Sequence, residues 1–163
     1  MAPQKRIALV VVTLVACVGC DQKTKSLASQ ALRGRDSKSF LSGVIRLDYT
    51  ENPGAFLSWG ASLPDRWRTA LFTIGCSVGI ASVLSYTLLV AKSGWLQILG
   101  LSLMSGGGIG NLLDRWAYGY ARDFLNVGLG PVRTGIFNVA DVALMAGCLL
   151  LLMQSLGRST ASG

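Results

Sequence analysis

Four long apolar segments, separated by polar stretches, dominate the pattern of the chain. They cover residues 7–25, 69–91, 95–113 and 136–156. The first is strictly apolar only from Ile7 to Cys20, so it reaches the roughly 20 residues of a membrane span only if the helix continues to Lys25. The lysine side chains at its end would then snorkel to the interface. The pattern predicts one domain, residues 1–163, with four transmembrane helices.

The polar stretch between the first two spans has a β-rich part at residues 40–62. β-Branched and aromatic residues surround a turn at Asn52-Pro53-Gly54, which predicts a short strand pair or small sheet lying on the membrane. Phe56, Leu57 and Trp59 would either clamp a substrate or anchor this loop at the interface. The expected fold class is an all-α membrane protein with a small β-cradle.

Charge near the short loops suggests an orientation. Four spans place both termini on one side, together with Lys5-Arg6 and Lys92. Cytoplasmic loops are enriched in Lys and Arg, so we expect this side to be cytoplasmic. A plain count of basic residues does not support the choice, because the opposite loops carry many as well.

Composition narrows the class of protein further. Hydrophobic residues make up 51% of the chain and charged residues 14%, against roughly 25% charged in soluble domains. The net charge of +7 suits anionic lipid headgroups. Nucleic acid is not an expected partner, because the basic residues are scattered beside the spans.

The chain contains no histidine. This excludes Ser-His-Asp and Cys-His triads as well as HExxH zinc sites. The four cysteines lie in or beside apolar runs, where a free thiol behaves as a small hydrophobe. We therefore predict no metal site.

Three aspartates stand at the edges of the apolar segments. Asp114 closes the third segment, Asp141 lies just inside the fourth, and Asp123 lies in the loop between them. A carboxylate at this depth is costly and is a functional-site hypothesis by default. If the fourth helix begins at Ile136, Asp141 lies roughly 7–8 Å below its start. A loop that folds back would bring Asp123 to Asp141.

Two carboxylates in contact at low dielectric do not both ionise. One acts as a base and the other as an acid, which suits metal-free amide hydrolysis. The alternative is that Asp123 pairs with Arg122 or Arg115 while Asp141 caps a helix.

Other polar residues stand at helical spacing from these acids. Asn111 precedes Asp114, and Asn138 precedes Asp141, by three residues each, so the amides are expected to face one site. Arg115 would donate to a substrate carbonyl, or else form an ion pair with Asp114.

Glycines are placed inside the third span. Ser102, Gly106 and Gly110 follow the small-xxx-small spacing of closely packed membrane helices. A nucleotide loop is not expected there, because the run lacks the Gly-Lys-Ser/Thr ending.

Five blocks occur together between the four apolar spans. They are Asp21-Gln22-x-Thr24-Lys25, Asn52-Pro53-Gly54-Ala55-Phe56, Gly106-Gly107-x-x-Gly110-Asn111-x-x-Asp114-Arg115, Arg122-Asp123-Phe124 and Phe137-Asn138-x-Ala140-Asp141. In this order they resemble lipoprotein signal peptidase, the type II signal peptidase of bacteria. The resemblance covers about residues 5–157.

The resemblance implies a site and an activity. The catalytic pair falls on Asp123 and Asp141. The supporting positions are Asp21, Lys25, Asn52, Gly54, Gly107, Asn111, Asp114, Arg115, Asn138 and Ala140. The implied reaction is removal of a signal peptide just before a diacylglyceryl-modified cysteine. The implied setting is the bacterial inner membrane, with the site and β-cradle on the periplasmic face and with lipid-modified prolipoproteins and membrane lipids as partners. The resemblance implies no cofactor, and we expect a monomer.

One residue departs from the family pattern, which usually has a β-branched residue before the Asp-Phe pair. Here it is Arg122, and an adjacent cation would favour the ionised form of Asp123.

Three other functions compete with the peptidase. A small transporter or channel also uses intramembrane acids, although its site is expected near the midplane. The amino terminus resembles a lipoprotein signal peptide with Cys17 as the lipidated residue. A Ser–Lys peptidase would use Lys25.

Overall fold

A computed structural model describes residues 1–54, 60, 62–90 and 94–161. Within them, four helices are long and apolar enough to cross a membrane: Pro3–Leu32, Asp65–Leu89, Trp95–Tyr118 and Val139–Gly157. A small antiparallel sheet accompanies them. The predicted class, four apolar helices with a small sheet, is therefore confirmed. Phe56, Leu57 and Trp59, the expected clamp, lie outside the described residues.

Helix α1 (Pro3–Leu32) has 30 residues. At 1.5 Å per residue it is about 45 Å long, which exceeds the roughly 30 Å hydrocarbon core. Its last turns therefore leave the lipid and support the sheet, because Ala28 and Leu32 pack against Phe124. Earlier in the same helix, Asp21 and Lys25 are fully buried.

The second spanning helix is not regular along its length. It begins as α2 (Asp65–Thr69), passes through a π-helical segment (Ala70–Gly75), continues as α3 (Cys76–Ser85) and ends in a second π-helical segment (Tyr86–Val90). Arg6 of α1 donates to the Leu88 carbonyl at 3.0 Å, which places the start of α1 beside the end of this helix.

Helix α4 (Trp95–Tyr118) is the central helix, and its glycines allow its neighbours to approach closely. A Cβ atom at Gly106 would lie 2.8 Å from the Cys17 Cβ of α1. A Cβ at Gly107 would overlap the Ala140 carbonyl oxygen. Small residues on α4 thus bring α1 and the last helix to either side of it, as the small-xxx-small spacing predicts.

The sheet has four antiparallel strands in the order β1-β2-β3-β4. They are β1 (Lys38–Phe40), β2 (Ile45–Asn52), β3 (Ala121–Leu129) and β4 (Val132–Arg133). The small sheet expected near Asn52-Pro53-Gly54 is present, with β2 ending at Asn52 and pairing with β1 and β3. Residues 55–59, which follow the turn, lie outside the described residues. Thr50 of β2 pairs with Asp123 of β3. The segment between the last two spanning helices therefore supplies the strand that carries an expected catalytic residue.

The last helix, α5, runs from Val139 to Ala161 and does not begin at Ile136 as expected. Two causes are visible. Phe137 exchanges 2.8 Å backbone hydrogen bonds with Leu125, which holds the preceding residues in an extended conformation. Asn138 and Asp141 then form a reciprocal capping box, with both hydrogen bonds at 3.0 Å. Asp141 is therefore in the first turn of α5 and not roughly 7–8 Å down the helix.

Candidate active site

One residue, Asn138, joins the two expected catalytic carboxylates. Its Nδ2 donates to Asp123 Oδ1 at 2.6 Å, and its backbone N–H donates to Asp141 Oδ2 at 3.0 Å. Asp123 is 2% exposed and Asp141 9% exposed. The end of the sheet and the beginning of α5 thus bring two acids together that are separated along the chain.

Each carboxylate receives a second amide donor on its other oxygen. Asn52 Nδ2 donates to Asp123 Oδ2 at 2.9 Å. Asn111 Nδ2 donates to Asp141 Oδ1, also at 2.9 Å. These four donors, two on each carboxyl group, hold both groups in fixed rotamers.

The orientation of these amides follows from Lys25. An ammonium group only donates hydrogen bonds, so Lys25 Nζ, at 2.9 Å, requires the oxygen of Asn111 on its side. The same oxygen accepts from Asn138 Nδ2 at 2.9 Å. The amino group of Asn111 must then face Asp141. Lys25 thus determines that the amino group of Asn111, and not its oxygen, faces the Asp141 carboxylate.

Lys25 belongs to a buried cluster of charges behind the acids. Its Nζ lies 2.8 Å from Asp21 Oδ2 and 3.4 Å from Asp114 Oδ2, and all three side chains are fully buried. Asp21 Oδ1 accepts the Ala140 N–H at 2.9 Å. This N–H lies in the first turn of α5 and has no partner within the helix, so Asp21 also holds the helix start.

The proposed ion pair of Asp114 with Arg115 is wrong. Asp114 binds Lys25 and Arg122, with Arg122 Nη2 2.6 Å from Asp114 Oδ1. Arg115 donates instead to the carbonyl of Asn111 at 3.2 Å and to the carbonyl of Gly54. The Gly54 N–H donates to Asn52 Oδ1 at 3.0 Å. Arg115 therefore fixes the turn that presents Asn52.

Arg122 also does not pair with Asp123, although the two are neighbours in sequence. Successive side chains of a strand point to opposite faces, so the guanidinium of Arg122 faces α4. Burial is the main cause that raises the pKa of Asp123 to about 6. The hydrogen bonds from Asn52 and Asn138 lower this pKa, and the charge of Asp141 raises it. The expected bias of Asp123 toward ionisation is thus not found.

A cavity of about 660 Å³ opens beside the two acids. Asn52, Asn111, Arg115, Asp123 and Asp141 line one part of it. The remaining walls come from the second spanning helix, α4 and α5 and are mostly apolar, reaching Val83, Cys148 and Leu149. Such a cavity admits an apolar chain and places a polar bond of that chain beside the carboxylates.

No metal site accompanies the acids in the described part of the chain. No three or more Cys, Asp or Glu side chains are grouped there so that they would hold a metal ion. The partners of Asp123 and Asp141 are amide groups. The chemistry that these residues offer is acid–base chemistry by the carboxyl groups themselves.

Comparison with known proteins decides the family. The family model described as "Signal peptidase (SPase) II" matches residues 13–157. The chain belongs to the signal peptidase II family. It is therefore a peptidase and a multi-pass membrane protein.

Individual relatives agree with this assignment. Lipoprotein signal peptidase of Syntrophomonas wolfei is 34% identical over 133 residues, which cover 82% of this chain and 83% of the relative. That of Streptococcus pneumoniae is 31% identical over 152 residues, covering 93% and 95%. A solved bacterial membrane enzyme superposes with a TM-score of 0.84 at 23% identity and covers 96% of this chain and 93% of its own. This last likeness shows the fold alone.

The structure places the predicted site residues in one connected network. Gly107 joins it by packing against Ala140, and the others by the hydrogen bonds and ion pairs described above. Sequence reasoning missed Gln22. Its Nε2 donates to the Gly110 carbonyl at 2.9 Å and its Oε1 accepts from Arg122 at 3.1 Å. The available signal was its place in the block Asp21-Gln22-x-Thr24-Lys25, directly after Asp21.

Proposed function

We propose that the protein is an aspartic endopeptidase that removes signal peptides from diacylglyceryl-modified prolipoproteins, cleaving just before the modified cysteine. The observation that carries the catalytic type is the pair Asp123 and Asp141, bridged by Asn138 at one end of an apolar cavity. Membership of the signal peptidase II family supports the substrate class.

In the proposed reaction the pair carries one proton. Asp123 holds it, since burial raises its pKa to about 6. Asp141 takes a proton from a water molecule, whose oxygen attacks the scissile carbonyl. The proton of Asp123 passes to the carbonyl oxygen, which gives a neutral tetrahedral diol. Asp141 then protonates the leaving amine, Asp123 recovers a proton from the diol, and the C–N bond breaks.

The other expected site residues keep this pair in place. Asn52, Asn111 and Asn138 orient the carboxyl groups through their amides. The buried charges hold the amides and the start of α5. Positions within about 0.5 Å matter for such chemistry, which accounts for the number of supporting polar residues.

The cavity suits a substrate that arrives within the membrane. The acyl chains and the signal helix of a modified precursor both lie in lipid, so its scissile bond lies at the boundary with the headgroups. The acids lie near the end of α4 and the beginning of α5. Helix ends lie at the boundary with the headgroups, which is the depth of the scissile bond. The apolar walls of the cavity, which continue away from the acids, then accept either the acyl chains or the signal helix of the precursor.

The proposed location is the bacterial inner membrane, with the sheet and the acids at the periplasmic face and both termini in the cytoplasm. The start of α1 lies beside the end of the second spanning helix, as Arg6 and Leu88 show, and α5 ends about 30 Å of helix away from Asp141. We propose that the enzyme acts as a monomer. The alternative of a transporter or channel is not favoured, because the family is one of peptidases.

The proposal is tested with two synthetic precursors of identical sequence, one with a diacylglyceryl group on the cysteine and one without. The purified protein should release the signal peptide only from the modified precursor, and mass spectrometry should find the modified cysteine as the new amino terminus. Cleavage elsewhere, or equal cleavage of both precursors, would contradict the proposed substrate.

A further inference from the structure

Arg122, which precedes Asp123, stands where the family pattern usually has a β-branched residue. Its side chain contacts Asp114, Gln22 and Tyr118. The residue as a whole is 8% exposed. It is the residue before Asp123 on β3. Its guanidinium lies 4.7 Å from the centre of the Tyr118 ring and donates to Gln22 Oε1 at 3.1 Å.

Asp114 receives three hydrogen bonds from this one residue. The backbone N–H and Nε of Arg122 donate to Asp114 Oδ2 at 2.9 and 3.1 Å. Nη2 donates to Asp114 Oδ1 at 2.6 Å. Such a two-oxygen pairing fixes direction as well as distance. It attaches the backbone and the side chain of β3 to the last turns of α4.

The charges of this cluster are balanced. Lys25 and Arg122 face Asp21 and Asp114 in a region where the carboxylates are fully buried. Without Arg122, Asp114 would keep Lys25 at 3.4 Å and the amide of Gln22 at 3.2 Å. A buried carboxylate that loses its main partner moves or takes up a proton. Either change releases the attachment of the strand.

The strand carries this attachment directly to a reacting group, because the next residue after Arg122 is Asp123. We propose that Arg122 is a positioning residue, which holds Asp123 at its reacting distance by fixing β3 to Asp114. The inference rests on the proposed function. It concerns a residue that contacts neither the cavity nor either oxygen of Asp123, so its effect passes through the backbone.

The test compares Arg122→Met with Arg122→Lys and with a matched control, Arg133→Met. Arg133 lies on β4 of the same sheet and donates to the Gly43 carbonyl at 2.8 Å, away from the acids. Steady-state cleavage of the diacylglyceryl-modified precursor gives kcat and KM separately. We expect Arg122→Met to lower kcat by about 10- to 100-fold, since displacement of a reacting group by about 1 Å has this effect.

The KM of Arg122→Met and the constants of the other two variants show whether a loss of kcat comes from misplacement of Asp123. KM of Arg122→Met should stay within about twofold of wild type, because the precursor binds elsewhere. Arg122→Lys keeps the charge without the two-pronged geometry, so it should recover part of kcat, to within about 3- to 10-fold of wild type. Arg133→Met should leave both constants within about twofold of wild type.

A double-variant cycle asks whether the effect passes through Asp114. In an Asp114→Asn background the further change Arg122→Met should lower kcat by less than about threefold, because the pairing is already lost. If Arg122→Met does not yield folded protein, Arg122→Lys takes its place in the same cycle. An unchanged kcat in the Arg122 variants, or an equal loss in both backgrounds, overturns the inference. A wild-type protein that cleaves nothing overturns the proposed function instead.

Discussion

Replacing Asn138 by serine separates the role of its amide from its role as a helix cap. Serine is itself a good N-cap residue, so the Asp141 N–H keeps an acceptor and the start of α5 stays intact. The variant loses Nδ2, which donates at 2.6 Å to Asp123 and at 2.9 Å to Asn111. The backbone N–H of residue 138 still donates to Asp141 Oδ2.

The expected size follows from the bond that is lost. A hydrogen bond to a charged group is worth about 1.5–3 kcal/mol. This bond stabilises the ionised form of Asp123 and lowers its pKa, so its removal raises that pKa further above the ordinary value. At 1.36 kcal/mol for each pH unit, the titration of Asp123 moves upward by about one to two pH units.

The assay is the pH dependence of kcat/KM, measured from about pH 4 to about pH 9, which reports groups of the free enzyme. The proposed reaction needs the proton on Asp123, so kcat/KM of the wild type should fall as pH rises through about 6. In Asn138→Ser this falling limb should move to higher pH, while the maximum rate decreases because the carboxyl group is less well oriented.

The control is Asn126→Ser on the same strand, where the amide donates to the Thr134 carbonyl at 2.6 Å and does not reach the acids. Its falling limb should coincide with that of the wild type. A limb that keeps its position in Asn138→Ser, or moves to lower pH, refutes the assignment of this titration to Asp123.

Three further predictions concern packing, buried charge and metals. Gly107→Ala should lower the free energy of unfolding by about 1–3 kcal/mol, because the new methyl group meets the Ala140 carbonyl and Leu144. Gly19→Ala meets no atom within 4 Å and should show no loss; equal thermal unfolding of the two variants contradicts the packing argument. Lys25→Met leaves the buried carboxylate of Asp21 without its cation, while Asp114 keeps Arg122, and should destabilise the fold by about 3–5 kcal/mol, measured by denaturation in detergent. Chelators such as EDTA should leave cleavage unchanged, and a loss that zinc restores would count against the carboxyl mechanism.

The helices were predictable because length and apolarity alone distinguish a membrane span. The predicted start of α5 failed for a local reason. Ile136 and Phe137 are apolar and suggest helix, yet Phe137 forms a bridge with Leu125 of β3, and Asn138 caps the helix that begins at Val139. An N-cap signal, Asn followed three residues later by an acid, is present in the chain. It indicates the start of the helix more reliably than the apolar run does.

The sheet was harder to predict, because its central pairing joins β2 to a strand far along the chain. Alternation within Ala121–Leu129 is broken by buried charge, with Arg122 and Asp123 both inside. Sequence patterns identified the acids and amides by type and spacing. The register in which β3 pairs with β2 decides on which side of the strand Arg122 lies, and therefore whether it pairs with Asp114. Local sequence patterns do not specify this register.

The catalytic role of the two carboxyl groups is decided by cleavage assays of the diacylglyceryl-modified precursor with Asp123→Asn and Asp141→Asn, each purified and shown to unfold at the temperature of the wild type. Asp36→Asn, at an exposed position, serves as the control. We expect no product from either of the first two variants and wild-type turnover from the control. Turnover by folded Asp123→Asn or Asp141→Asn at a rate near that of the wild type would contradict it.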